Sequence, residues 1–322
     1  MRLFDNDPIR MPAAAEEIDA RLSGLAAAGL ISDDGAAGEA RAGFTMRGSV
    51  RDAVTDAALV LECVAESLEI KREVFAELDQ LAADRAVLAT SSSTIPVSRI
   101  AAGIRSRSRC LVIHPANPPY LLKVAEIVPA PFTSEGAVAA ADRLLRSAGV
   151  RPIRLAREIP GFVFNRLQGA LLREAWCLVR DGLVSAADVD VLVTHGLGRR
   201  WAVSGPFATS ELNTRGGIEQ HSQTIGAEYG RMAAERGGDN PWTSEVIGEI
   251  CAQVHQRLPT EDWSSFVDRR ERVLMTLEQL ARTGRLRSVP EYPSSDQEVQ
   301  PGSAAQGAPV EPPHRSLTQP GD

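Results

Sequence analysis

At 322 residues, 43% of them hydrophobic, the chain is long enough for two domains that each bury a core. Its formal net charge of -7 argues against nucleic acid as the main partner. No apolar run is long enough to span a bilayer and the first residues lack the basic-then-apolar layout of a leader, so the expected compartment is the cytoplasm and no membrane partner is expected. The four cysteines (Cys63, Cys110, Cys177 and Cys251) are scattered in apolar contexts without a Cys-x-x-Cys pair. They are expected to be reduced core thiols rather than disulfides or metal ligands.

In chain order, Leu3-Phe4 reads as a strand and is followed by a long Ala- and Glu-rich helical region. Gly24 and Gly29 flank part of that region, and Gly35, Gly38 and Gly43 are expected in a loop. Ala58-Leu59-Val60-Leu61 is the next strand, and Ile70, Val74, Leu78 and Leu81 then define one apolar face of a helix. The short apolar run Ala86–Ala89 is of buried-strand type and ends in the hydroxyl cluster Thr90-Ser91-Ser92-Ser93-Thr94. The carboxyl end of a strand is where open α/β sheets bind ligands, although some of these hydroxyls also serve as turn and cap groups. The arginines of Arg105-Ser106-Arg107-Ser108-Arg109 read as a solvated loop.

The segment that follows carries the most chemistry. Cys110–Ile113 delivers His114 to the end of a strand, and the prolines of Pro115-Ala116-Asn117-Pro118-Pro119 force a turn. Lys123–Val128 then returns with β-type alternation that can bring Glu126 beside His114. A carboxylate holding one ring nitrogen as a donor leaves the other free to take a proton, which is how a general base is built. A helix closing over Asp142–Ala148 and a last strand at Arg151–Leu155 complete an alternating strand and helix pattern, a doubly wound sheet. From Pro160 the periodicity becomes helical, with helices expected at 161–181, 185–195, 206–213, 216–236, 243–256 and 261–283. Asn165 lies on the first turn of the first of these, where side chain and free amides can reach a ligand. The domains are therefore placed at 1–157 (α/β, Rossmann-like) and 158–285 (all helical), with a Pro-, Gly-, Ser- and Gln-rich tail over 286–322 expected to be disordered. Apolar residues on more than one face of the helical segments, such as Leu171-Leu172 with Trp176, point to a homodimer through the helical domain.

Together, the serines at 91–93, His114-Pro115-Ala116-Asn117-Pro118-Pro119-Tyr120, Gly161-Phe162-Val163-Phe164-Asn165-Arg166-Leu167-Gln168, Glu174-Ala175-Trp176 and Gly196-Leu197-Gly198-Arg199-Arg200-Trp201-Ala202 resemble the 3-hydroxyacyl-CoA dehydrogenase superfamily. Within it they are most similar to the lambda-crystallin and L-gulonate 3-dehydrogenase branch, from Arg2 to about Leu280. The resemblance implies NAD as cofactor and oxidation of the 3-hydroxyl of a 3-hydroxy acid or 3-hydroxyacyl-CoA to the 3-oxo product. It places His114 as base, Glu126 as its orienting carboxylate, and Ser93 and Asn165 at the reacting oxygen. It puts Asp5 on the adenosine ribose, Glu66 and Lys71 near the nicotinamide ribose, and Asn117 on the nicotinamide side; on a helix, Lys71 could equally be a solvent charge. A free hydroxy acid brings a carboxylate that calls for an arginine fork, for which Arg200 is the candidate, with Asn213 as a polar wall.

One departure stands out. The family opens on a strand, a Gly-x-Gly-x-x-Gly turn and a helix whose amino end holds the pyrophosphate, and this sequence starts at what resembles the second strand. Roughly thirty residues, one strand-turn-helix unit, are expected to be missing, with a strand edge left unpaired and apolar side chains exposed. Two readings stay open: a start assigned too far downstream, or a catalytically impaired paralogue that acts as a dimeric binding or structural protein. The retained polar site residues favour the first.

Overall fold

The computed structural model describes residues 1–31, 34–238, 240–241, 243–256 and 258–286, so the expected tail falls almost wholly outside the described residues. In chain order the elements are β1 (Arg2–Leu3), α1 (Arg10–Ala27), α2 (Asp34–Ala42), β2 (Thr45–Met46), α3 (Val50–Val54), β3 (Leu59–Glu62), α4 (Leu68–Leu81), β4 (Val87–Thr90), α5 (Val97–Ile100), β5 (Cys110–Pro115), β6 (Val124–Pro129), α6 (Glu135–Ser147) and β7 (Arg151–Arg154). Helices follow: α7 (Phe164–Arg180), α8 (Ala186–Leu192), α9 (Gly198–Trp201), α10 (Pro206–Asn213), α11 (Gly217–Arg236), α12 (Ser244–His255) and α13 (Trp263–Arg282). This is the α/β sheet followed by a helical unit that the pattern predicts.

Three findings differ from the sequence reading near the start. Gly35 and Gly38 lie in helix α2 rather than a loop, Gly24 sits inside α1, and an unanticipated strand, β2, pairs in parallel with β1. A two-residue strand carries no readable alternation, so only its partner reveals it.

The main sheet has the order β3-β4-β5-β6-β7, parallel throughout except for the antiparallel β5–β6 pair. β4 and most of β5 are buried on both faces, as their uninterrupted apolar runs require. One core lies under α3, α4 and α5 and contains Phe75, Leu88, Val112 and Phe162. The other lies under α6 and contains Leu111, Ile113, Ile127 and Val138. Helix α4 starts where Ser67 caps Ile70 N, and it inserts Phe75 and Leu78 into the first core. β1 and β2 form a separate two-stranded sheet, so β3 is an edge of the larger one, with Leu61 42% exposed.

The helical unit is tied back onto the sheet unit by its last helix. Met275 of α13 packs with Leu30 and Leu121. Glu271 pairs with Arg21 of α1, and Glu278 meets Lys123 at 3.1 Å. Elsewhere the helical unit leaves Leu167, Leu172, Leu192 and Phe207 exposed. Near the sheet, Arg109 is not solvated: its guanidinium donates to Ala83 O at 2.6 Å and Ala86 O at 2.7 Å.

Candidate active site

His114 and Glu126 are directly opposed partners in the β5–β6 ladder. Opposed residues in an antiparallel pair project to the same face, so the alternation that buries Ile113 and Ile127 on one face brings the imidazole and carboxylate together on the other. His114 Nδ1 lies 2.8 Å from Glu126 Oε2, and both side chains are buried. An ionised carboxylate only accepts, so Nδ1 carries the proton and Nε2 is the basic nitrogen.

The second carboxylate oxygen is also committed. Glu126 Oε1 accepts from the backbone amides of Val163 at 2.8 Å and Phe164 at 3.0 Å, at the amino end of α7. Gly161 at φ 74° and Phe162 at φ 51° turn the chain so that these amides face the strand pair. Glycine adopts that region freely; for phenylalanine it costs on the order of 1–3 kcal/mol and persists only where the surroundings over-determine it. Phe162 is fully buried in the core under α4 and α5, which supplies the constraint. The rings of Phe162 and Phe164 stand 5.5 and 6.2 Å from the imidazole, centroid to centroid, and wall it with apolar surface.

The next residue of α7, Asn165, donates from Nδ2 to the Ser93 carbonyl at 3.0 Å. The structure thus brings Ser93, Asn165, Glu126 and His114 onto one turn of α7 and the strand ends it faces. The Ser93 hydroxyl makes no hydrogen bond among the described residues.

Beyond β3 lies a polar network that the sequence reading saw only in part. Lys71 is 1% exposed, not a solvent charge; its ammonium reaches Glu62 at 3.0 Å, Glu66 at 3.3 Å and Val64 O at 3.2 Å. Glu62, equally buried, was missed, and its signal is an acid ending an apolar strand nine residues before a lysine on the inner face of the next helix. Glu66 Oε1 accepts from Ser92 Oγ at 2.6 Å and from Thr94 N and Oγ1 at 3.1 and 3.0 Å. Burial pushes Glu66 up, but the bonds from Ser92 and Thr94 and the Lys71 ammonium outweigh it and hold the carboxyl down to about 2. Cys63 corrects the expectation of four core thiols, since it is exposed where the edge strand β3 ends. Desolvation nonetheless raises its thiol above the usual range.

β3, β4 and β5 are mutually parallel, so Glu66, Ser92, Ser93 and His114 all emerge at or just past carboxyl ends, the crevice where open α/β sheets bind ligands. An acid and hydroxyls at the same strand ends as an imidazole fit the nicotinamide-ribose end of a dinucleotide, while the buried Lys71 ammonium is spent on Glu62, Glu66 and Val64 O. Asn117 is exposed in the loop after His114. Asp5, just past β1, accepts from Asp7 N at 2.9 Å and shapes the turn into α1. The pyrophosphate end requires free amides at a helix start after a glycine turn. Among the described residues no helix follows a strand through a Gly-x-Gly turn, and the α4 start after β3 is capped by Ser67. Arg200 on α9 and Asn213 at the end of α10 are exposed and are not joined to the strand-end cluster by any hydrogen bond or ion pair among the described residues. Those residues contain no cluster of His, Cys, Asp and Glu able to hold a metal, and no helix long and apolar enough to cross a membrane.

Comparison with known proteins adds the family. Residues 1–159 match the NAD binding domain, and 161–247 the C-terminal domain, of 3-hydroxyacyl-CoA dehydrogenase. The chain is 40% identical over 258 residues to a lambda-crystallin homolog of Bos taurus, covering 80% of this chain and 79% of that protein. It is 34% identical over 250 residues to an L-carnitine dehydrogenase of Streptomyces coelicolor, covering 76% of each. A similar solved structure is 5-formyl-3-hydroxy-2-methylpyridine 4-carboxylic acid 5-dehydrogenase, an NAD+-dependent dismutase, with 25% identity, a TM-score of 0.73, and coverage of 89% of this chain and 91% of that one.

Proposed function

The chain belongs to the 3-hydroxyacyl-CoA dehydrogenase family, on its lambda-crystallin branch, and is an NAD-dependent oxidoreductase; we propose that it oxidises the 3-hydroxyl of a small free 3-hydroxy acid to the 3-oxo acid, with His114 as general base. The observation that carries this reading is the buried 2.8 Å contact between His114 Nδ1 and Glu126, which leaves Nε2 as the proton acceptor at the strand ends. NAD, when bound, supplies the hydride acceptor. His114 Nε2 takes the hydroxyl proton as the carbon-bound hydrogen leaves as hydride, and Glu126 offsets the imidazolium charge beside the apolar rings of Phe162 and Phe164. Ser93 and Asn165 hold the oxygen that becomes the carbonyl. Glu66 and Asn117 serve the nicotinamide end of the cofactor, with the buried Lys71 ammonium holding Glu66 in place from behind, and Asp5 serves the adenosine ribose.

For the substrate, Arg200 is assigned to the carboxylate, with Asn213 beside it. The Arg200 guanidinium has no described partner to give up, and the Streptomyces relative is named for a 3-hydroxy acid, carnitine. The exposed Leu167, Leu172, Leu192 and Phe207 support a homodimer through the helical unit, and we place the protein in the cytoplasm. The test is turnover of NAD with matched free 3-hydroxy acids and their CoA thioesters, using wild type and His114→Ala. Turnover of the free acids that falls by several orders of magnitude in His114→Ala is the expected result. Near-normal rates in that variant overturn the base assignment, and efficient use of thioesters alone overturns the substrate class.

A further inference from the structure

We infer that the amino end of α7, set by the left-handed turn at Gly161 and Phe162, is a positioning element for the base: it locks the Glu126 carboxylate so that His114 keeps its proton on Nδ1. This rests on the reading of His114 as base and adds the part of the molecule that makes the base competent.

A carboxylate with a single partner can rotate about its last bond and offer either oxygen, so one bond to Nδ1 does not by itself hold the ring. Here Oε1 is pinned by two amides at 2.8 and 3.0 Å, which leaves Oε2 no freedom except to face the imidazole at 2.8 Å. Phe162 on the left-handed side is followed by Val163 at φ -88° and ψ -45° on the right-handed side, and such a pair of opposite hand aims consecutive amides in one direction, the geometry of an anion-binding nest. Phe162 cannot relax this turn. Its side chain is fully buried in the sheet core, and its own amide is tied to Ile159 O at 3.1 Å. The base sits on the sheet and the lock on the first helix of the helical unit, so the Nδ1–H tautomer is stabilised only while α7 is docked. Phe162 is thus a positioning residue, acting on His114 through Val163, Phe164 and Glu126.

Phe164→Pro and Phe164→Leu form a matched pair. Both lose the ring, but only proline loses the amide that donates to Glu126; proline is tolerated at the first position of a helix yet also presses Val163 before it out of its right-handed backbone, so the pair reads the loss of this amide together with the turn that presents it. The kcat of Phe164→Pro is expected to lie about tenfold or more below that of Phe164→Leu, the scale of one hydrogen bond to a charged group. The KM values for NAD and substrate should match between the two. In ¹⁵N spectra of the histidine ring, the leucine variant should retain the single Nδ1–H tautomer of wild type, whereas the proline variant should show a mixture. Equal kcat and equal tautomers in the pair overturn the inference. Should the proline variant not fold, wild type against Glu126→Gln decides it: the Val163 and Phe164 amide protons are expected downfield in wild type and displaced upfield in the variant, and resonances indifferent to that substitution overturn it. A wild-type protein that turns over no 3-hydroxy substrate refutes the proposed function, while the tautomer and amide signals still decide this inference on their own.

Discussion

Replacing Glu126 by glutamine should disable the enzyme while leaving it folded, and the reason lies in which oxygen faces which donor. Glu126 Oε1 accepts two backbone amides, so in Glu126→Gln that position must be taken by the side-chain oxygen, since the NH2 group cannot face two N–H donors. The NH2 is then left facing His114 Nδ1. It donates, so Nδ1 becomes the acceptor and the ring proton moves to Nε2, the nitrogen that has to take the substrate proton. A carboxylate-to-amide change that imposes the wrong tautomer costs about 10⁴ in kcat in serine proteases, equivalent to about 5.4 kcal/mol of transition-state stabilisation. We expect a loss of that order here, not a milder loss from a weakened charge. All three hydrogen bonds survive in reversed polarity at the imidazole, so stability should change by less than about 1 kcal/mol. In Glu126→Ala, by contrast, the Val163 and Phe164 amides lose their acceptor, which costs about 1–3 kcal/mol for a buried group left unpaired. The assay pairs NADH formation at saturating substrate with urea unfolding, and reads the tautomer from ring ¹⁵N shifts. A glutamine variant within about tenfold of wild type, or one that keeps the proton on Nδ1, would refute the reasoning.

Arg200→Leu should raise KM for a free 3-hydroxy acid by about tenfold or more with little change in kcat, as expected for a lost charge-assisted pair; an unchanged KM in steady-state kinetics removes Arg200 from the substrate site. Lys71→Met leaves Glu62 as a buried, uncompensated carboxylate, so unfolding free energy should fall by about 3–5 kcal/mol, and adding Glu62→Leu should restore more than half of it. A loss under about 1 kcal/mol in Lys71→Met would show that the pair is not buried in solution. The Glu66 carboxyl is held at about 2 against an ordinary 4.5, so its network contributes stability in full above pH 4.5 and loses that contribution as pH falls toward 2. The side chain is 40% exposed and screened, so the test is a comparison: the Tm gap between wild type and Glu66→Gln should close between those pH values, and a constant gap contradicts it. Light scattering at micromolar concentration should return a dimer, and a monomer would leave the exposed apolar residues of the helical unit without the cover proposed for them.

Much of this molecule is legible in its sequence because the signals are short-range. Uninterrupted apolar runs mark β4 and β5, a 3.6-residue period marks α4 and α7, and Pro115 to Pro119 between two β patterns puts Glu126 opposite His114. A ladder register follows from a turn and an alternation, so the His–Glu contact is readable in advance. Contacts between elements distant in the chain carry no such short-range signal. Helical spacing sets Lys71 on one face with Phe75 and Leu78, but only packing of α4 on the sheet buries it against Glu62. The strand Thr45–Met46 exists only because β1 lies beside it. The capture of Glu126 by the α7 amides, the left-handed backbone of Phe162 and the docking of α13 on α1 arise where the helical unit meets the sheet unit. Such contacts join residues tens to hundreds of positions apart and depend on how whole elements stack, and periodicity carries no record of that, so the hold of the α7 amides on Glu126 came from tertiary structure alone.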